Sequence, residues 1–182
     1  MCVKPSKLQK INVPKVYLDG SSIELVSHYK YLGLTMCSND KDDEAIASQI
    51  RGLYCRGNAL IKHFKYCSEN VKSQLFKTYC SSFYCSHLWS NCSTESLRRL
   101  KVAHNRIFRV LMGLEHRVSM SFMFIYHKVS HSSIILRNAM CGFIDRINNS
   151  DNHLISTVVS SNSFIDSKMS KQWNNSLNVM DM

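Results

Sequence analysis

Thr94-Glu95-Ser96-Leu97-Arg98-Arg99-Leu100-Lys101-Val102-Ala103-His104-Asn105-Arg106-Ile107-Phe108-Arg109-Val110-Leu111-Met112-Gly113 is the stretch that decides the fold class. Ser93 or Thr94, with Glu95 in the first turn, opens a helix, and Gly113 stops it. At about 100° per residue, Leu97, Leu100, Ala103, Ile107, Val110 and Leu111 share one side. Arg98, Arg99, Lys101, Arg106 and Arg109 share an arc of about 160° opposite, which is expected to be uninterrupted by acidic side chains. A solvated face usually mixes signs and gains a few tenths of a kcal/mol per pair. This one accepts self-repulsion instead. Phosphate backbones supply the missing counter-charge, and four of the five residues are Arg, whose planar fork pairs with phosphate oxygens. A solubilising face, or one that meets acidic side chains elsewhere, stays open as the other reading.

Helical periods extend on both sides of this segment. Before it, Ile46, Ile50, Leu53, Gly57, Leu60, Ile61 and Phe64 form an apolar stripe, introduced by the acidic cluster Asp40, Asp42, Asp43 and Glu44. Carboxylates there suit the free N–H groups and positive end of the helix that follows. Arg51, Lys62 and Lys65 fall together on another face. Ser68 caps a second helix expected over 69–90, apolar around much of its girth and expected to be the central packing helix. Segments 119–129 and 132–147 continue the array. After Asn148 the chain turns rich in Ser, Asn and Asp, and is expected to pack weakly or move. The first forty residues read as strands: Lys15–Leu18 and Ser21–Val26 flank an Asp19-Gly20 turn, and Tyr29–Met36 forms a third extended run. The fold class is mainly α, a helical array preceded by a small antiparallel β unit.

The 182 residues are 45% hydrophobic and 20% charged, with only 6 Gly and 2 Pro, which disfavours a turn-rich all-β protein or a disordered linker. No apolar run approaches the ~18–20 residues that span a bilayer. Met1-Cys2-Val3-Lys4-Pro5 lacks the apolar core of a signal peptide, so an intracellular protein of nucleus or cytoplasm, with no membrane partner, is expected. The eight cysteines are then expected to be reduced and mostly buried. The net charge of +10 is uneven. Residues 1–50 are neutral, residues 51–117 carry +9, and residues 118–182 carry +1. A concentrated basic block points to a polyanionic partner.

Several segments recur in the order of a known family. They are Val26-Ser27-His28-Tyr29-Lys30-Tyr31-Leu32-Gly33, Lys41-Asp42-Asp43-Glu44, Ser81-Ser82-Phe83-Tyr84-Cys85-Ser86-His87-Leu88-Trp89, Leu100 to Arg109, and Met112-Gly113-Leu114. Together, over roughly residues 1–147, they resemble the C-terminal part of reverse transcriptases of non-LTR (LINE-like) retrotransposons. The resemblance implies that Lys30, Tyr31 and Gly33 belong to a primer-grip-like strand and that the following helices form a thumb holding the template–primer duplex. It divides the chain into a β-hairpin and grip-like strand (1–37), a thumb-like bundle with the basic face (38–115), and a helical extension with a polar tail (116–182). Arg98, Arg99, Lys101, Arg106 and Arg109 are candidate contacts to RNA or an RNA–DNA duplex from the face argument, joined by Arg51, Lys62 and Lys65.

The family places its catalytic Asp-Asp turn, with two metal ions, upstream of the matching region. Asp42-Asp43 does not substitute, since Lys41 and Glu44 flank it and a helix follows. The expectation is a truncated, non-catalytic reverse transcriptase fragment with no cofactor of its own, whereas the full-length enzyme would need Mg. Its partners are RNA or an RNA–DNA duplex, together with the missing fingers and palm. The alternative is a non-enzymatic helical module whose basic face meets an acidic protein. A third reading is that no stable product exists, because the missing palm leaves apolar surface exposed.

Other chemistry is weakly signalled. Cys80, Cys85, His87 and Cys92 lack the close pairs of structural zinc sites, and on one helix Cys80 and Cys85 would lie about 140° apart. Cys85 and His87, at i and i+2 on a helix, would not face each other for nucleophilic catalysis. Phe76, Tyr79, Phe83, Tyr84 and Trp89, at helical spacing among Leu and Val, read as core rather than as base-stacking residues. Gly52 and Gly57 lie inside a helix and form no phosphate loop.

Overall fold

A computed structural model describes residues 14–178. The readings of the first thirteen residues, including Cys2 and the leader argument, lie outside the described residues. Two hairpins come first. β1 (Tyr17–Leu18) pairs antiparallel with β2 (Ser21–Ser22), and β3 (His28–Tyr31) with β4 (Leu34–Cys37). Asp19 and Gly20 both have positive φ, at 47° and 79°, as a two-residue type I′ turn requires.

The third extended run is not one strand. Leu32 (φ 46°) and Gly33 (φ 84°) fold it into a second hairpin in which Tyr31 opposes Leu34. The β unit is therefore two separate two-stranded sheets.

Helices make up the rest, so the fold is mainly α with a small β unit. They are α1 (Asp43–His63), α2 (Glu69–Cys80), α3 (Thr94–Met112), α4 (Met120–Tyr126), α5 (Ser132–Asn148), α6 (His153–Val159), α7 (Asn162–Ile165) and α8 (Lys168–Asn178). No helix among the described residues is long and apolar enough to cross a membrane. The α1 stripe is as the period predicts: Ile46, Leu53, Gly57 and Leu60 are buried. Its flank carries a consequence for packing. A Cβ on Gly57 would meet the Cγ2 of Ile107 at 2.4 Å, so the absence of a side chain is what lets α1 lie close against α3.

The helix expected over 69–90 ends at Cys80. Ser81 and Ser82 leave the helix, Cys85 adopts a left-handed conformation (φ 54°), and Ser86–Leu88 form a single 3-10 turn. The physical reason lies in two large side chains. Phe83 and Trp89 are both buried, yet a continuous helix would set them about 120° apart in projection. Breaking the rod brings both into the core. The break also separates the aromatics: Phe76, Phe83 and Trp89 are core, whereas Tyr79 and Tyr84 are more than half exposed. With only Ser73, Phe76 and Cys80 buried, α2 is peripheral. The central packing helix is α3, which buries eight residues.

Beyond α3, Phe124 of α4 and Val129 join the main core. The polar tail does not simply trail away. Although α6 and α7 bury no residue, α8 returns Trp173 to α5, where it packs with Met140, Ile144, Phe143 and Phe164 in a second small core. The cysteines among the described residues are free: Cys37, Cys80 and Cys141 are buried, Cys67, Cys85 and Cys92 half-buried, and Cys55 exposed.

Candidate nucleic-acid interface

The basic helix α3 is held at both ends by bonds that fix its rotation. Ser93 at its N-terminus accepts from the N–H of Ser96 at 3.1 Å. Ser93 in turn donates its own N–H and hydroxyl to Asp43 Oδ1, each at 2.8 Å, and the N–H of Asn91 donates to Asp42 Oδ2 at 2.7 Å. The acidic cluster thus serves the start of α3 rather than capping α1 with its own side chains, although Asp43 and Glu44 still sit in the first turn of α1. Burial pushes the Asp43 carboxyl upward, but the bonds from Ser93 and Ser96 outweigh it and hold it below the ordinary carboxylate value. Asp42, more deeply shielded, is pushed up by burial. At the other end, Gly113 (φ 68°) closes the helix, with the N–H of Leu114 donating to the Arg109 carbonyl at 3.0 Å.

The inward face of α3 carries Leu100, Ala103, His104, Ile107, Phe108, Leu111 and Met112. His104 is fully buried between the rings of Phe76, Phe83 and Phe124, with centroids at 5.0, 5.9 and 5.5 Å. Neither ring nitrogen has a hydrogen-bond partner. Burial lowers its pKa to about 4, with a smaller push from His131. Leu97 packs at the edge of the core, and Val110 belongs to the outward side, being 53% exposed.

The five candidate cations separate into three kinds. Arg98 forms a two-pronged ion pair with Glu95, at 2.6 and 2.7 Å, one turn back on the same helix. The arc is therefore interrupted by an acidic side chain after all: three residues back is about +60° in projection, inside the cationic face. Arg109 is half-buried and donates an Nη2 hydrogen to the carbonyl of Val118 at 3.2 Å, which ties down the α3–α4 connection. Arg99, Lys101 and Arg106 are exposed and form no direct ion pair among the described residues, although Arg99 still feels the Glu95 carboxylate one turn back. The helix is intact, and these three form its free cationic surface.

The remaining candidates lie elsewhere. Lys30 and Tyr31 are exposed on β3, and Gly33 sits at the hairpin turn. Arg51 pairs with Glu44 at 3.2 Å, Lys62 lies in the last turn of α1, and Lys65, past its end, stands 5.5 Å from the Tyr66 ring centre. No hydrogen bond or ion pair joins the hairpin set, the α1 set and the α3 set among the described residues.

One concave feature lies on the basic face. A groove of about 550 Å³ opens between α3, which contributes Val102, Asn105, Arg106, Arg109 and Val110, and the connection to α4, which contributes His116. Met120, the first residue of α4, completes it. No carboxylate lines it. Asn105 Oδ1 and Arg109 Nε are shielded from solvent and have no partner. Sequence reasoning placed Arg106 and Arg109 here but missed Asn105, His116, Met120 and the two valines. The signal was available at Val102, which lies inside the cationic arc with Val110 two turns on.

Among the described residues no three His, Cys, Asp or Glu side chains gather to hold a metal ion. Cys80, Cys85 and His87 do not share a helix, so the helical projection used for them does not apply. No family model, curated protein or solved structure matches the chain.

Proposed function

We propose that this chain is a thumb-like, template–primer-binding piece of a non-LTR retrotransposon reverse transcriptase, without the palm carboxylates that perform synthesis. The observation that carries the reading is the outward side of α3, where Arg99, Lys101 and Arg106 stand exposed and unpaired on a helix whose reverse is fully packed. An unneutralised cationic surface on a rigid element is suited to phosphate contacts, which release condensed counterions. The ordered resemblance from Val26 to Leu114 adds the family.

The magnesium that a whole polymerase would use does not fit this chain's residues. The neighbouring carboxylates Asp42 and Asp43 are engaged as backbone caps by Asn91 and Ser93. No step of synthesis is assigned to the chain.

A second observation bears on partners. Tyr17, Leu18, Leu25, Tyr29, Tyr31 and Leu32 are all more than half exposed on the β unit. Apolar exposure of this extent on a short segment suits a protein-contact surface, and in this reading the partner is the palm. The same observation also favours the alternative of a non-enzymatic interaction module. Titration of a labelled RNA–DNA duplex at several salt concentrations separates the two. The proposal expects retention at low salt and a steep fall of log K with log salt. No retention of RNA or duplex at low salt rejects it, and primer extension by the chain alone rejects the assignment as non-catalytic.

A further inference from the structure

We propose that the groove between α3 and the α3–α4 connection receives one unpaired nucleotide of the bound strand, with its base against Val102, Val110 and Met120 and its phosphate on Arg106. The inference rests on the nucleic-acid reading above and gives that surface a ligand class: single-stranded RNA or DNA at a junction, rather than uniform duplex.

Charge alone does not account for the construction of this face. Val102 and Val110 are 49% and 53% exposed in the middle of a cationic surface. Neither gains anything from a phosphate, but both gain from covering an apolar base face. Val102, Arg106 and Val110 follow one another at one-turn steps, about 6 Å apart. That alternation suits a nucleotide, which carries an apolar face and an anionic group in one unit. An acidic peptide divides those properties between separate side chains. The groove volume, about 550 Å³, falls within the roughly 300–1,000 Å³ of small-ligand sites.

Polar complementarity points the same way. Asn105 and Arg109 leave an acceptor and a donor unpaired beside the groove. Nucleobase edges carry both donors and acceptors, and rotation of the Asn105 side chain presents its carboxamide to such an edge. A base inside a duplex is stacked and paired, whereas an unpaired one can splay outward. His116 also lines the same cavity.

The test compares two probes by fluorescence anisotropy at low salt, a blunt RNA–DNA duplex and the same duplex with a single-stranded RNA extension. 2-Aminopurine occupies the first unpaired position, and an acidic amphipathic peptide serves as competitor. The extended probe is expected to bind roughly fivefold tighter or better, and its 2-aminopurine to brighten as it leaves its neighbours' stack. Val102→Ser with Val110→Ser, both at half-exposed positions, is expected to abolish the preference, with thermal melting as the check on folding. Equal affinity for the two probes, or a preference that survives in the double variant, overturns the nucleotide site while duplex binding stands. Displacement by the peptide at lower concentration than by the extended probe overturns it in favour of a protein ligand. Failure of both probes to bind at low salt overturns the nucleic-acid reading itself.

Discussion

The hydroxyl of Tyr84 donates a hydrogen bond of 2.6 Å to the carbonyl oxygen of Leu32, fifty-two residues earlier. It fastens the turn of the β3–β4 hairpin to the segment between α2 and α3. The Tyr84 ring also stands over Gly33, where an added Cβ would approach it to 3.1 Å.

Tyr84→Phe keeps the ring and removes the bond. Exposed as the tyrosine is, the expected cost is small and concentrated in the hairpin. Amide exchange at residues 28–37 should quicken while the main thermal transition barely moves. Gly33→Ala should weaken the hairpin further, because its φ of 84° disfavours any side chain. Unchanged exchange in both variants would remove the anchoring role.

Gly57→Ala should destabilise the chain by about 1–3 kcal/mol, despite the better helix propensity of alanine. The obstructing Cγ2 of Ile107 is attached directly to its Cβ and cannot swing away as a flexible chain end would. Ile107→Ala alone opens a cavity and should cost about 2–5 kcal/mol. Combined, the two substitutions should cost clearly less than their sum, because the added methyl occupies space the isoleucine vacates. Denaturant titration of the four proteins measures that coupling, and strict additivity would mean the helices do not meet at this pair.

Stability should depend on pH through His104. Its folded pKa lies near 4, below the unfolded value near 6.5. The unfolded chain therefore takes up the proton first as pH falls. The contribution is fully present above pH 6.5 and is lost as pH drops towards 4, a window worth roughly 3 kcal/mol. His87 and His131 are also lowered, chiefly by burial, and add in the same direction. Melting temperature recorded from pH 7.5 to 4.5 should fall, and His104→Leu should flatten much of the slope.

The cations of α3 should contribute unequally to duplex binding. Arg99→Gln and Arg106→Gln should each weaken binding and lower the salt slope by about 0.7–0.9. Arg98→Gln should do less, since its guanidinium is already engaged by Glu95. Equal slopes for all three variants would show that the Glu95 pair opens on binding.

How much of this was legible in the sequence differs by feature. The Asp19-Gly20 turn, the α1 stripe and the span of α3 follow from local patterns, because each depends on neighbours within a few residues. The end of α2 does not. Nothing at Ser81-Ser82 forbids a helix, and the decision is made by burying Phe83 and Trp89 together. The acidic cluster shows the same limit: Asp42 and Asp43 stand at the start of one helix yet bond to the residues that open another, a pairing across about fifty positions. On the basic face Arg98, Arg99, Lys101 and Arg106 are exposed and Arg109 half-buried, and the partners of Arg98 and Arg109 did not follow from the period. Arg98 lies three residues from Glu95, a spacing open to reading, whereas the bond from Arg109 to Val118 depends on the path of the connection after Gly113. His104 reads as polar in sequence and is core in the structure, since three aromatic rings leave it no route to water.

The seam that joins Asp42 and Asp43 to Asn91 and Ser93 gives α3 an electrical direction. Carboxylates gather around its first turn, Glu95 included, and cations without a direct ion pair begin only at Arg99. On the proposed reading, an approaching polyanion would be turned away from the leading end and drawn to the trailing two-thirds, and so be oriented before any close contact forms.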